Sequence, residues 1–262
     1  MSKPTISIIT PCYNSENFLD EMISSVISQT YKDWELIIVD DYSNDKSALV
    51  IEKYLLIENR IKLIKFENKM GPAIARNKAI EVARGRYITF LDSDDYWEIN
   101  FLKYSIEKAK YYPFIYSQYN RVSEKGNYID TISVVKKVNL DRILKGSPIS
   151  CLSAFIDTSK FGKKYFPTKI FREDLGYWVK LLEDFKYAYG FNFCEANYRI
   201  HKKSSSKNKI KMSLLTWHDY RNNYNLSFIK SVYFYLYYVY RGNMKYLKLK
   251  FLSLIQFIKK IY

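Results

Sequence analysis

Residues 87–95 read YITFLDSDD, a short apolar run that passes without a break into a cluster of acids. Two earlier stretches have the same form, since residues 5–14 read TISIITPCYN and residues 35–43 read ELIIVDDYS. Apolar, β-branched runs of this length are typical of buried strands. We therefore expect three strands that each deliver polar or acidic side chains at their carboxyl ends.

Helical patterns separate these strands. The predicted helices cover residues 15–29, 46–57 and 72–84, and a further strand is expected at 61–64. The third helix has Pro72 just inside its amino terminus, where proline is favoured. Apolar strands that alternate with helices predict an α/β fold, with a mainly parallel sheet covered by helices on both faces. In such sheets ligands bind beyond the carboxyl ends of the strands.

The size and composition indicate one globular domain with an appendage, because the chain has 262 residues and 48% of them are apolar. Residues 1–4 lead directly into the first strand without a separate apolar segment, so no secretory signal is expected. Cys12, Cys151 and Cys194 form no CxxC pair, which argues against a zinc site and a disulfide framework. We therefore expect a protein of the reducing cytosol.

Positive charge is concentrated at the back of the chain. Residues 199–262 hold 14 Lys or Arg and one acid, whereas residues 1–198 are nearly balanced. The apolar run 231–240 is too short to cross a bilayer. Residues 244–262 have a helical period, with apolar side chains on one face and lysines opposite. This helix either lies in the interface of an anionic membrane or packs on the rest of the protein with its lysines in water.

Five carboxylates are expected at one edge of the sheet, namely those of Asp40, Asp41, Asp92, Asp94 and Asp95. Like charges held close together cannot all stay ionised without a counter-cation. Carboxylates two residues apart can bind Mg²⁺ or Mn²⁺, ions that leave positions for water and substrate phosphates. A single aspartate at a strand end can instead form a turn or cap a helix. The agreement of several strand ends favours a divalent-cation site.

The second half of the chain is less regular. Strands at 114–122 and 127–135 are joined by a hairpin signal, and a helix is expected at 172–183. Glu173 and Asp174 lie in the first turn of that helix, where the helix dipole stabilises acids whether or not they have a function.

Six short motifs follow one another in a fixed order along residues 4–206. They are IITPCYN at 8–14, IIVDDYS at 37–43, GPAIARN at 71–77, GRYITFLDSDD at 85–95, RED at 172–174 and YRIH at 198–201. As an ordered set they resemble the pattern of glycosyltransferase family 2 on a GT-A fold. The resemblance implies a Rossmann-like central sheet and an inverting transferase that uses a nucleotide-sugar donor, with uracil as the favoured base.

The resemblance also implies which residues bind the donor. Pro11 and Tyr13 are expected to border the base and ribose, and Asp41 to hydrogen-bond the base. Arg76 is expected near the base or phosphates, and Asp92 near the ribose.

The chemistry implied by the resemblance falls on a second group of residues. Asp94, from the family's DXD motif, and His201 are expected to bind Mn²⁺ or Mg²⁺, and Arg199 to approach the diphosphate. Asp174 resembles the family's catalytic base, while Asp95 is expected either to support the site or to cap the following helix.

The interpretation as a whole is a GT-A domain at residues 1–205, with a nucleotide-sugar half at 1–97 and an acceptor half at 98–205. Residues 206–262 are expected to form a helical, basic and aromatic extension. The expected reaction moves a sugar to a hydroxyl of a glycan or lipid-linked glycan in surface polysaccharide synthesis. The expected location is the cytoplasmic side of the cell membrane, with peripheral contact to its anionic surface.

Two alternatives stay open at this point. A metal-dependent nucleotidyl- or phosphotransferase would also use paired aspartates, although the chain has no GxxxxGK[ST] phosphate-binding loop. A basic nucleic-acid-binding protein would use the lysines and aromatic residues of the extension, but these lie away from the predicted ligand edge, so no nucleic-acid partner is expected.

Overall fold

The computed structural model describes residues 4–170, 172–201, 209–224 and 226–240. The described residues form twelve strands: β1 Ile6–Cys12, β2 Trp34–Asp40, β3 Ile61–Lys65, β4 Tyr87–Phe90, β5 Tyr96–Trp97, β6 Phe114–Ser117, β7 Tyr119–Ser123, β8 Tyr128–Ile132, β9 Lys137–Val138, β10 Ala154–Asp157, β11 Ala188–Phe191 and β12 Ala196–Ile200. Eight of these strands form a central sheet in the order β3-β2-β1-β4-β10-β6-β11-β9.

The central sheet is mainly parallel, as the sequence predicts. Strands β3, β2, β1 and β4 are all parallel neighbours, and β11 is parallel to β6. Strand β10 runs antiparallel between β4 and β6. The four parallel strands place their carboxyl ends, and therefore the residues after them, along one edge of the sheet.

Helices cover both faces of this sheet, which confirms the predicted α/β architecture. They are α1 Leu19–Ile27, α2 Ser47–Leu55, α3 Pro72–Val82, α4 Phe101–Ala109, α5 Leu140–Leu144, α6 Glu173–Phe185, α7 Lys209–His218 and α8 at 228–240. Successive strand residues point to opposite faces: Ile8 and Ile38 join the core beneath α1, α2 and α4, whereas Ile9 and Ile37 join the core beneath α3, α5 and α6. Both faces of the inner strands are apolar for this reason.

A smaller sheet in the order β5-β12-β7-β8 lies beside the large one. The predicted hairpin is confirmed, since β7 and β8 are antiparallel and the turn between them contains Gly126 at a φ of 82°. The predicted strand at 114–122, however, is divided at Gln118 between β6 in the large sheet and β7 in the small one. The amide of Gln118 donates to the Phe191 carbonyl, which ends the ladder of the large sheet.

The described part of the C-terminal extension is helical, as predicted. A π-helical turn at Asp219–Asn223 follows α7, and Tyr220 from this turn and Phe234 from α8 enter the core beneath α6. No helix within the described ranges is long and apolar enough to cross a membrane. The amphipathic pattern at 244–262 lies outside the described residues.

Candidate active site

Side chains and amides tie together the segments that follow β1, β2 and β4. The Asn14 amide donates to Ser43 Oγ at 2.9 Å, and the Asn44 amide donates to Asn14 Oδ1 at 2.9 Å. Ser15 and Ser93 share a hydrogen bond of 2.7 Å between their hydroxyls. Sequence reasoning missed these contacts, although Asn and Ser after a strand are typical turn residues.

Two residues at this edge have left-handed backbone conformations, Asn14 at a φ of 50° and Tyr42 at a φ of 63°. Asparagine tolerates this conformation, whereas for tyrosine it costs about 1–2 kcal/mol. Strained backbone of this kind clusters at functional sites. The strand ends are thus held in a fixed shape by local hydrogen bonds.

Asp41 holds the loop that leads into α3. Its carboxylate is buried and accepts from the amides of Met70 at 2.6 Å and Gly71 at 2.8 Å. Gly71 has a φ of 92°, a conformation that glycine adopts without strain. Each carboxylate oxygen can accept more than one hydrogen bond, so these two contacts still allow Asp41 to bind a base. That expected contact stays a prediction. Asp40 accepts from the Ser43 hydroxyl and so shapes its own turn.

Tyr13 presents an aromatic ring beside this loop. Its side chain is 40% exposed, and the Lys69 ammonium lies 3.4 Å from the ring centroid. Pro11 is buried inside β1, opposite Val39 of β2. Of the two residues expected to border the base and ribose, Tyr13 is therefore the accessible one.

Arg76 of α3 bridges two acids from different parts of the fold. Its guanidinium lies 2.7 Å from Asp92 and 3.3 Å from Glu173, and its side chain is only 7% exposed. Burial disfavours the charged form, but the carboxylates of Asp92 and Glu173 outweigh it and raise the pKa of Arg76 above its ordinary value. The bridge joins the end of β4 to the first turn of α6.

Asp94 and His201, the two predicted metal ligands, are in contact. Asp94 Oδ2 lies 2.7 Å from His201 Nε2, and both side chains are partly exposed. Burial, followed by the charge of Asp92, raises the pKa of the Asp94 carboxyl.

This pair fits a divalent ion because an oxygen and a nitrogen ligand would leave room for water and phosphate oxygens. Within the described part of the chain, no set of three acidic, His or Cys side chains is gathered into a fuller shell.

Arg199 has a different place from the one expected. Its side chain is 3% exposed, and it donates to the backbone carbonyls of Asp94 and Glu124, at 2.8 Å each, and to the Glu21 carboxylate. A guanidinium committed to protein groups in this way fixes the position of Asp94 and does not face a diphosphate. No local sequence signal indicates this, because the position of Arg199 depends on the pairing of β12 with β5 and β7.

Asp95 does not cap the following helix. It is buried, accepts from the Arg199 amide at 2.8 Å, and its other oxygen has no partner among the described residues. Burial and the charges of Asp94 and Asp92 raise the pKa of Asp95 well above its ordinary value. Of the two expected roles, support of the site agrees with these contacts.

Asp174 is the second residue of α6 and is half-buried. Its neighbour Glu173 is paired with Arg76, but the Asp174 carboxylate makes no side-chain hydrogen bond with any described residue. The helix dipole stabilises its charge. An unpaired carboxylate at this place is available to accept a proton.

Comparisons with known proteins agree with this geometry. The family model described as "Glycosyl transferase family 2" matches residues 7–151. The putative teichuronic acid biosynthesis glycosyltransferase TuaG of Bacillus subtilis (strain 168) is 37% identical over 239 residues, which is 90% of this chain and 95% of that protein.

A second relative is the Escherichia coli enzyme WfgD, a UDP-Glc:alpha-D-GlcNAc-diphosphoundecaprenol beta-1,3-glucosyltransferase. It is 34% identical over 215 residues, covering 81% of this chain and 83% of that protein. The crystal structure of S. aureus TarS 1-349 in complex with UDP-GlcNAc is similar with a TM-score of 0.68 at 22% identity, over 90% of this chain and 71% of that one. At this identity the structural likeness concerns the fold alone.

Proposed function

The chain belongs to glycosyltransferase family 2 and is a glycosyltransferase, and from that premise we propose that it uses a UDP-sugar donor and a lipid-linked glycan acceptor. The donor proposal is supported by WfgD, whose name specifies UDP-Glc, and the acceptor proposal by the same name, which specifies a diphosphoundecaprenol carrier. TuaG and WfgD together support a place in surface polysaccharide synthesis. The comparisons favour this function over a nucleotidyltransferase and over a nucleic-acid-binding protein.

The observation that carries the proposed mechanism is the Asp174 carboxylate, which has no side-chain hydrogen bond among the described residues and follows Glu173 of the Arg76–Glu173–Asp92 bridge. In this mechanism an acceptor hydroxyl oxygen attacks the anomeric carbon of the donor and its proton passes to Asp174. The bond from that carbon to the β-phosphate oxygen breaks as the new bond forms, so UDP leaves with the electron pair. A single in-line displacement of this kind inverts the anomeric centre.

The remaining predicted residues bind the donor in this proposal. Tyr13 and Asp41 contact the base, and Asp92 contacts the ribose, while Arg76 orients Asp92. Asp94 and His201 hold a Mn²⁺ or Mg²⁺ ion, which when bound supplies positive charge against the leaving diphosphate. Arg199 keeps Asp94 in place through its carbonyl, as the hydrogen bond of 2.8 Å indicates.

We assign the donor to the half at 1–97 and the acceptor to the half at 98–205. The donor residues before position 98 follow β1, β2 and β4 or lie on α3, whereas Asp174 lies in the first turn of α6 in the second half. His201 comes from the end of β12 and brings the second half into contact with Asp94.

Peripheral contact with the inner face of the cell membrane belongs to the same proposal. On α8, Ile229, Tyr233, Leu236 and Tyr240 recur at helical spacing and are exposed, Ile229 by 80%. Phe234 on the opposite face is buried in the core. An exposed apolar face with tyrosines, next to a strongly basic sequence, suits the interface of an anionic membrane.

The test is the thermal stability of the purified protein with UDP, GDP, CDP and ADP, each with and without Mn²⁺. A ligand that binds the native state raises stability, by about 2.7 kcal/mol at a hundred times its dissociation constant. We expect a Mn²⁺-dependent rise in Tm with UDP that is lost in Asp94→Ala and kept in Asp20→Asn, an exposed acid on α1. Absence of a shift with every nucleotide would contradict the proposal.

A further inference from the structure

Two neighbouring residues of α3, Arg76 and Asn77, contact Phe166 and the first turn of α6, the helix that contains Asp174. Asn77 makes a two-point contact with the backbone of Phe166: its Nδ2 donates to the Phe166 carbonyl at 2.8 Å, and the Phe166 amide donates to Asn77 Oδ1 at 2.7 Å. Phe166 is buried and its ring is stacked on Tyr177 of α6, with centroids 4.0 Å apart and planes within 6°. Asn77 is thus connected to α6 through one residue.

Arg76 holds the other end of the same segment. Its guanidinium pairs with Glu173, the first residue of α6, at 3.3 Å while it also pairs with Asp92 at 2.7 Å. The Arg76 guanidinium lies 5.3 Å from the ring of Phe166, so both anchor points on α3 converge on one small region.

From these contacts we propose that Arg76 and Asn77 form a brace that sets the position of Asp174 relative to the donor. The proposal rests on the proposed function, in which Asp174 takes the acceptor proton. Asp174 has no side-chain hydrogen bond with the described residues, so its place is determined by the backbone of the first turn of α6. That turn is held by Arg76 on one side and, through Phe166 and Tyr177, by Asn77 on the other.

The brace also gives a reason for a buried arginine at this position. A guanidinium can pair with two carboxylates in fixed directions, whereas an ammonium is a single point charge. Arg76 therefore ties Asp92, expected near the donor, to Glu173, the residue before the base. Misplacement of a reacting group by about 1 Å can cost on the order of a hundredfold in rate, so a loose first turn is costly for turnover and not for donor binding.

The cleanest test uses Asn77, because among the described residues its side chain hydrogen-bonds to the Phe166 backbone and to no donor residue. We expect Asn77→Ala to lower kcat about 10–100-fold. The dissociation constant of UDP in the presence of Mn²⁺ should change less than about twofold, a small change in binding free energy. The rate is UDP release from the UDP-sugar that the wild-type enzyme turns over. The matched control is Lys78→Ala, the next residue on α3, whose side chain pairs with Glu81 at the surface and is 40% exposed.

A double-mutant cycle separates positioning from a general loss of structure. If Asn77 acts through Asp174, Asn77→Ala has no further effect on the residual rate of Asp174→Asn. Equal losses in both backgrounds, or an unchanged kcat in Asn77→Ala, would overturn the brace. An Asp174→Asn enzyme with a near-normal rate would instead overturn the proposed base, so the two failures are distinguishable.

Arg76 is tested by a second cycle, in which Arg76→Lys and Glu173→Gln are measured singly and together. We expect each to lower kcat and the pair to lower it no more than Arg76→Lys alone, because both break the same contact. Multiplied losses in kcat would show that Arg76 does not act through Glu173 and would overturn its part in the brace.

Discussion

Among the acids around the site, Asp174 is set apart by its surroundings. Asp41, Asp92, Asp94, Asp95 and Glu173 each have a hydrogen-bonding or ionic partner within the protein. The carboxylate of Asp174 has none among the described residues, so a proton can be accepted there without breaking an existing contact. Residues that hold the site and the proposed base are therefore distinguishable by their contacts.

We expect Asp174→Asn to lower kcat about 10²–10⁴-fold, the usual contribution of a positioned general base. UDP affinity should stay close to the wild-type value because asparagine keeps the shape of the side chain. Steady-state UDP release and calorimetric UDP binding measure the two quantities. Glu183→Gln, an exposed acid at the far end of the same helix, serves as control and should leave both unchanged; a comparable loss there would argue against a specific role for Asp174.

The two arginines show how far residue types alone can mislead. Both Arg76 and Arg199 lie in motifs that resemble donor-binding segments, and both are buried against protein groups. Each guanidinium pairs with neighbouring carboxylates or carbonyls, because a buried unpaired guanidinium would be strongly destabilising. Motif position identified them as important, while their contacts assign them to holding Asp92, Glu173 and Asp94 in place.

At the scale of elements, Gly85 lies close against the backbone of β1. A Cβ on Gly85 would lie 2.5 Å from the Ser7 amide nitrogen, and the Gly85 amide already donates to Ser7 Oγ at 2.8 Å. We expect Gly85→Ala to lower the free energy of unfolding by about 3 kcal/mol, since the backbone of a central strand cannot give way. Urea denaturation followed by circular dichroism measures this change.

Gly162→Ala is the comparison variant for that experiment. Gly162 has a φ of 69° but nothing lies within 4 Å of an added Cβ. Alanine there should lower the free energy of unfolding only through its left-handed backbone conformation, by about 1 kcal/mol. If both substitutions cost the same, steric contact with β1 is not the reason for glycine at position 85.

The elements of the first hundred residues could be predicted because local pattern and global fold agree there. Strands β1 to β4 and helices α1 to α3 lie where periodicity places them, within a few residues. The two-residue strands β5 and β9 carry no periodic signal, and the division of residues 114–122 depends on which partner each half meets. Such pairings are long-range contacts, which a local pattern does not contain.

The candidate site was predictable to a similar degree. The sequence placed Asp94 and His201 together only through the resemblance, and the structure brings them into contact. The brace formed by Arg76 and Asn77 was not predicted, because it depends on where Phe166 and Glu173 pack against α3. The sheet determines the positions of the strand ends, whereas tertiary packing determines the position of a segment that comes later in the chain.

At the scale of the whole molecule, acid should weaken the fold through Glu35. The Glu35 carboxylate is buried and accepts from Ser7 Oγ at 2.6 Å, from the Arg84 amide at 2.6 Å and from the Lys62 ammonium at 2.7 Å. Burial alone would raise the pKa of Glu35, but these hydrogen bonds outweigh it and lower the pKa below its ordinary value. The stability it contributes is therefore present above pH 4.5 and lost as the pH falls through the lowered pKa.

We expect Glu35→Gln to lower the free energy of unfolding by about 2 kcal/mol at pH 7. The difference in the free energy of unfolding between Glu35→Gln and the wild type should narrow as the pH falls below 4.5, because protonation removes the same charge from the wild-type carboxylate. Urea denaturation at pH 7 and pH 3.5 measures the gap. Glu52→Gln, with a side chain 44% exposed, is the control; a gap at Glu35 that is independent of pH would contradict the linkage.

The proposed membrane contact can be tested at the exposed face of α8. Ile229→Ser with Leu236→Ser should weaken binding to phosphatidylglycerol vesicles at least about tenfold, since each side chain loses apolar burial. Binding is measured by co-sedimentation in 0.5 M salt. At this concentration the Debye length is on the order of 4 Å, so the salt screens the attraction between the basic residues and the vesicle surface. The control is Leu56→Ser with Ile57→Ser after α2, at sites 87% and 76% exposed. Equal effects of the two double variants would exclude α8 as the membrane-binding face.

The place of β10 has a consequence for synthesis of the protein. Strand β10 is made after β4 and β6, yet it lies between them in the central sheet. A nascent chain that has left the ribosome only as far as residue 150 therefore has an open edge at β4, and β6 still lacks both of its sheet neighbours, because β11 is also made later. Open edges pair readily with other chains, and long-range pairings form slowly. We therefore expect chaperones to bind the nascent chain until Ala154–Asp157 has emerged and paired with β4 and β6.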